Sequence, residues 1–418
     1  MTCAYSLLAM LLFAAVLDGL GAASSSRSFD VRENLSDETR ELQARIDALA
    51  AAGGGELVIG AGIHPSGALF FRPGVNLRIE KGGVLLGLDA HEAYPMRETR
   101  IEGETCVYYP ALINADRCDG FRISGEGVVD GHGLPTWRAF WKALKENPRC
   151  LNKESGLVRP RLLYVSNSDN VDVRGVTFRN AKFWTTHYYN CRNVRVHDCE
   201  IASEILDGVR GPSTDAIDID RCKGFIVSNV FMNVNDDAVV IKGGKGPWAN
   251  DPARHPENGP SSDVLVVDSR FGRLCHSCVT LGSECPSASN VVVRNCRVEG
   301  AGNFLCLKMR SDTPQAFSDV RAEDCAGTCG NVLRVCVWKQ FADLKDRTPA
   351  DVFSCASGVA FRRNAMTCRR VENRDAAEGF YELAPVEWTD NHFVPHPSHA
   401  TVWYNVHPNG VNKNVLRQ

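Results

Sequence analysis

The sequence predicts an all-β solenoid, a right-handed parallel β-helix with an N-terminal capping helix. Three observations predict it. Short alternating segments recur along most of the 418 residues, and they share a template. One clear amphipathic helix precedes them. Hairpin signals such as Asn-Gly between paired strands are scarce, which argues against the runner-up fold, a β-sandwich.

The template is read from segments 118–123, 168–173, 191–196, 222–227 and 288–293. Each opens on a small residue, places Gly or Asn two positions later, and then alternates apolar residues. A further position recurs at Cys199, Val230, Ser269 and Cys296, three residues after the last apolar one. Spacings of 23 residues from Ser168 to Cys191 and 31 from Cys191 to Cys222 suit solenoid coils. One coil cannot bury its own apolar face, whereas stacked coils bury a continuous core.

In chain order, the apolar run 7–17 with small residues after it reads as a secretory leader ending near residue 23. It is too short for a comfortable membrane span. Residues 36–52 read as the capping helix, with Leu42, Ile46 and Leu49 on one face and Gly53, Gly54 and Gly55 stopping it. The coils follow as one domain over 24–418. An insertion at 243–262, rich in Gly, Pro and Asn, follows an acidic strand and is expected to wall a cleft. The tail after about residue 345, with Trp388 and Trp403, reads as later coils or a C-terminal cap.

Composition narrows the function. With 44% hydrophobic and 23% charged residues the chain is an ordinary globular one. A net charge of -3 without a long basic run excludes nucleic acid as an expected partner. No later segment is apolar enough to span a bilayer, so a secreted or periplasmic monomer is expected. There are 17 cysteines. Those at ladder positions (Cys118, Cys191, Cys199, Cys222 and Cys296) read as buried thiols. Cys275 and Cys278 bracket His276, but no second pair completes a zinc site, and no metal or cofactor is expected. The run Gly243 to Gly246 lacks the pattern of a phosphate-binding loop.

The chemistry lies in two acidic clusters. Asp215, Asp218 and Asp220 stand in one, Asp236 and Asp237 in the other, with Asp215 and Asp236 21 positions apart, about one coil. Stacked coils bring three of these carboxylates together. Converging carboxylates push their pKa values apart, leaving one as acid and another as base, the equipment of glycoside hydrolysis. Adjacent Asp236 and Asp237 can share a site only if the strand ends or bends there. Asp218 and Asp220 alternate with Ile217 and Ile219, so they face away from the core and are read as exposed. His276 is placed to tune the carboxylates. Lys308 and Arg310 share a strand face and can meet an anionic substrate. Trp184 and His187, one coil before Asp215, can touch a sugar or simply pack.

At these residues the chain resembles glycoside hydrolase family 28, the polygalacturonases and related pectin hydrolases. The family motifs Asn-Thr-Asp, Asp-Asp, Gly-His-Gly and Arg-Ile-Lys have counterparts in the same order at 213–215, 236–237, 275–277 and 306–308, with Cys275 and Ser277 in place of the glycines that flank the histidine. Residues 46–59 and 125–131 are similar to its opening and first coils, so the likeness covers about 36–345. The resemblance implies inverting hydrolysis of pectic polysaccharide or oligosaccharide without a metal. By position it implies Asp236 as proton donor, Asp215 and Asp237 as the pair activating water, His276 as their support, and Lys308 as a contact for a substrate carboxylate. Asp218 and His187 are added as candidate substrate contacts. Cys306 departs from the family's Arg; a thiol cannot grip a carboxylate bidentately, and Arg310 is the candidate substitute. An exo-acting enzyme is the expectation. A calcium-dependent β-helical lyase and a non-catalytic glycan-binding solenoid stay open as alternatives.

Overall fold

Stacked apolar side chains organise the molecule. The computed structural model describes residues 37–148, 152–376 and 379–396. Segment 1–23, expected to be a leader, and Trp403 lie outside the described residues. One apolar row runs through eleven coils: Leu57, Leu77, Ile123, Val173, Val196, Val227, Val266, Val293, Ala322, Phe361 and Trp388 pair in turn across parallel strands. The five template segments contribute Ile123, Val173, Val196, Val227 and Val293 to it. Each residue of the row is buried, and together they form the spine of one core. Parallel strands joined by crossovers wind right-handed, which makes this a right-handed parallel β-helix.

The turns between coils are held by polar ladders. Asn and Asp tolerate the left-handed backbone conformation that sharp corners need. Asp198 and Asn229 adopt it in successive coils, with φ of 54° and 51°, and Asn229 Nδ2 donates to Asp198 Oδ1 at 2.7 Å. Asn229→Ala is expected to cost about 1 kcal/mol through the lost hydrogen bond and the less tolerant φ, read as a lower urea midpoint with unchanged slope. The thiols form a matching inner ladder: Cys118, Cys191, Cys199, Cys222 and Cys296 are buried and unpaired. Their sulfurs serve the backbone, as where the Cys191 N–H donates to Cys222 Sγ at 3.4 Å.

The capping helix runs Thr39–Ala51. Leu42 and Ile46 are buried against the first coil, and Leu49 packs beside them. Two elements go beyond the sequence reading. Helix Leu134–Glu146 buries Trp137 and Phe140; its Trp137 Nε1 donates to Ala181 O at 2.9 Å and Trp141 Nε1 to Arg210 O at 2.7 Å. Its signals were Pro in the first turn and aromatics at three- and four-residue spacing. Strands Arg97–Ile101 and Glu104–Tyr108 form an antiparallel hairpin. Its two-residue turn, Glu102 and Gly103, has φ of 50° and 75°, the sign pattern of the favoured hairpin turn. No described helix is long and apolar enough to cross a membrane.

Candidate active site

Coil stacking assembles the site. Ile217, Val239, Val279 and Leu305 pair in successive strands. Two positions earlier in each coil stand Asp215, Asp237, Ser277 and Asn303. Backbone bonds hold this row: Ala216 N–H donates to Asp237 O at 3.1 Å and Ala238 N–H to Ser277 O at 2.8 Å. Asp215 therefore stacks on Asp237, 22 residues on, rather than on Asp236. The strand starts only at Val239; the preceding bend at Asn235 and Asp236 lets two adjacent carboxylates serve one place. His276 follows in the next coil, its N–H donating to Asp236 O at 2.9 Å.

Asp237 is the electrostatic centre. Its side chain is buried, and it receives the Lys308 ammonium at 2.6 Å and His276 Nδ1 at 3.1 Å. Burial alone would raise its pKa, but the Lys308 charge and the His276 hydrogen bond outweigh it and hold the carboxyl far below the usual range. Asp236 moves the opposite way: burial and then the negative charge of Asp237 raise it. Asp215 is raised well above its ordinary value, first by burial and then by the charge of Asp236. Partial desolvation works against a charged His276, yet Asp237 holds its pKa up. The imidazole is 59% exposed, so it faces the open side of the cluster. Asp236, Asp237 and His276 each offer an atom within 4.8 Å of the others, close enough to share a cation. Cys275 and Cys278 take no part, since both pack in the core.

Several expected contacts fall elsewhere. Asp218 and Asp220 do face away from the β-helix core, but they are fully buried, not exposed. The 97–108 hairpin lies over them: Arg100 Nε reaches Asp220 Oδ2 at 3.1 Å, and Arg161 binds Arg100 O and Thr99 Oγ1 at 2.8 and 2.7 Å. His187 is equally buried and has no surface for a sugar. Its Nδ1 accepts from Arg161 at 2.6 Å and its Nε2 lies 3.4 Å from Asp220; burial lowers its pKa to about 3, so it stays neutral. Asp218 is pushed up to about 8 by burial, against the nearby Lys242 ammonium at 3.5 Å. Trp184 is packed, stacked on Phe183 with centroids 4.9 Å apart. Arg310 does share a strand face with Lys308, but it is buried and bound to Asp312 at 2.6 Å. It is not a free substitute for the arginine that Cys306 replaces. Lys308 itself is committed to Asp237 and lies 5.3 Å from the Trp338 ring. The sequence reading missed Trp338, Arg100 and Arg161, which long-range packing alone brings here.

A parallel β-helix with a cluster of unequal carboxyls on its outer face defines a carbohydrate-active solenoid. The family model for glycosyl hydrolases family 28 matches residues 98–326, and the chain belongs to that family. An exopolygalacturonase of Zea mays is 27% identical over 125 residues, 30% of this chain and 28% of its own length. The chain thus matches under a third of that relative. Two solved structures share the fold. An exopolygalacturonase from Thermotoga maritima has a TM-score of 0.66 at 21% identity, covering 85% of this chain and 88% of its own. A polygalacturonase from Erwinia carotovora has a TM-score of 0.68 at 18% identity, covering 92% and 95%.

Proposed function

We propose that the protein hydrolyses glycosidic bonds of a pectic galacturonan by single displacement with inversion, working from a chain end. The observation that carries this reading is the unequal setting of neighbouring carboxyls: Lys308 and His276 bind Asp237 at 2.6 and 3.1 Å and hold its pKa down, whereas Asp236, beside that negative charge, is pushed up. An acid and a base at one pH need that separation. Asp236 gives its proton to the leaving glycosidic oxygen. Asp237, kept ionised by Lys308, takes a proton from the water whose oxygen bonds to the anomeric carbon. Asp215, protonated beside it, orients that water by hydrogen bonding. His276 offsets the charge of the pair.

End-on attack is supported by the pinned hairpin. Its Arg100 is tied to Asp220, Asn258 and Gly243, so it stands as a fixed wall over the Asp215 coil and the one that follows it. The maize and Thermotoga relatives are both named exopolygalacturonases.

The test is reducing-sugar release from polygalacturonan with chelator present, with the anomer of the first product read by NMR. Release of one inverted product supports the reading. A chelator-sensitive, ultraviolet-absorbing product would instead support a lyase using the Asp236, Asp237 and His276 cluster as a cation site. No release would remove the pectic assignment.

The pH profile follows from the same charges. Activity needs Asp236 protonated, so kcat/KM falls as pH rises through its raised pKa, above the ordinary value of about 3.9. It also needs Asp237 ionised, so the acid limb lies well below that value. An alkaline limb beginning at an ordinary carboxylate pKa would exclude Asp236 as the acid.

A further inference from the structure

Beyond Asp215 and Asp237 the row of stacked residues changes from carboxylates to amides. Ser277 pairs with Asn303, and Asn303 with Asn331, in successive parallel strands. The two asparagines stand 28 positions apart, and each follows a glycine, Gly302 and Gly330. Those glycines allow the strands to close up. A Cβ on Gly302 would stand 2.6 Å from the His276 carbonyl oxygen, and one on Gly330 would stand 2.5 Å from the Gly302 carbonyl oxygen.

Side-chain amides form a ladder along this row. Asn303 Nδ2 donates to His276 O and to Ser277 Oγ, both at 3.1 Å. Asn331 Nδ2 donates to Asn303 Oδ1 at 2.7 Å, and Asn373 Nδ2 to Asn331 Oδ1 at 3.3 Å. The direction of the ladder is set at its inner end. A carbonyl oxygen can only accept, so Asn303 turns its nitrogen to His276 and its oxygen to Asn331. Asn331 must then turn its own nitrogen to Asn303, and Asn373 its nitrogen to Asn331. Asn303 is buried, so a reversed amide there would set oxygen against oxygen and leave both without a donor.

The inner end of the ladder meets a mostly exposed side chain. Among the described residues, the His276 ring bonds to Asp237 Oδ1 at 3.1 Å and to Ser277 Oγ at 3.4 Å. These two oxygens compete for the Nδ1–H. Asn303 occupies one of the two lone pairs of Ser277, which weights the competition toward the carboxylate. It also holds the His276 carbonyl, through its backbone N–H at 2.8 Å and its side chain together. We infer that Asn303, oriented by Asn331, is a positioning residue that directs the His276 ring onto Asp237. The orientation stands on these hydrogen bonds, and its effect on rate rests on the hydrolase reading above. Asn331 bonds to no carboxylate of the site, yet it governs the outcome. Without it the Asn303 amide is free to reverse, and His276 O and Ser277 Oγ lose their donor.

The test uses Asn303→Leu and Asn331→Leu, which keep the approximate size of the side chain and add no charge. The rate arm measures kcat and KM on polygalacturonan, corrected for the folded fraction by circular dichroism. The spectroscopic arm follows the His276 ring by NMR on histidine-labelled protein. Its signal is assigned by its loss in His276→Gln, and Asp237→Asn marks where the signal lies when the carboxylate is gone. Asn303→Leu is expected to lower kcat by about 10- to 100-fold, the scale of a displaced reacting group, with KM unchanged. Asn331→Leu should do the same to a smaller degree, and in both the ring signal should move toward its Asp237→Asn position. A ladder that only staples the coils would lower the urea midpoint and leave kcat and the ring signal in place; that result would overturn the inference. Should Asn303→Leu fail to fold, Asn331→Leu, at a half-buried rung, decides the matter alone. If the wild type releases nothing from any pectic polymer, the hydrolase reading falls, and the ring signal still judges the ladder.

Discussion

Asp236→Asn is expected to lower kcat by about 10² to 10⁴-fold, the contribution of a positioned general acid, with the fold and KM little changed. Asn matches the protonated carboxyl in shape but has no acidic proton to give. The backbone contacts at this position do not use the carboxyl, since His276 binds the Asp236 carbonyl. Among the described residues the side chain accepts from Asp237 N–H at Oδ1, at 3.0 Å, a bond that an amide oxygen can also accept. The measurement is single-turnover hydrolysis alongside circular dichroism. A variant that retains more than about a tenth of wild-type kcat would remove Asp236 as the acid.

The second large effect is at Lys308. Lys308→Met is expected to cost about 3–5 kcal/mol, because it leaves the buried Asp237 carboxylate without its cation. It should also change how stability depends on pH. In the wild type Asp237 has a depressed folded pKa. Its stabilisation is present above the unfolded value of about 3.9 and is lost only as pH falls through the folded value. Without Lys308, burial is opposed by His276, so the folded pKa is expected to rise from its depressed value. The folded variant then binds more protons than the folded wild type, so relative to wild type its stability falls as pH rises through that window. Urea titrations at several pH values read the sign directly. A variant curve parallel to the wild type would show that Lys308 does not hold Asp237 ionised. Activity should fall as well, since the base becomes protonated.

Much of the site was legible because its residues sit at stacked positions. Asp215, Asp236, Asp237, His276 and Lys308 converge as the repeat spacing implies, with Asp215 one residue out of the expected register. The spacing between equivalent residues is a local quantity, whereas the exact pairing is set by turn geometry. His187, Asp218 and Arg310 were misplaced for a common reason. Alternation says which side of a strand a residue faces, not what lies above it. Here Arg100 and Arg161 bring a second buried layer down on that face. The hairpin that carries Arg100 was announced only by Glu102 and Gly103 at its turn.

The sequence by itself determined the β-helix, its capping helix and the identity of the acid cluster, because stacked repeats and apolar alternation are written along the chain. Only the tertiary structure decided which carboxyl is held down and which is pushed up, which cations are already spent, and which face is roofed. Those properties depend on burial and on charges from distant coils, and proton affinity responds to both.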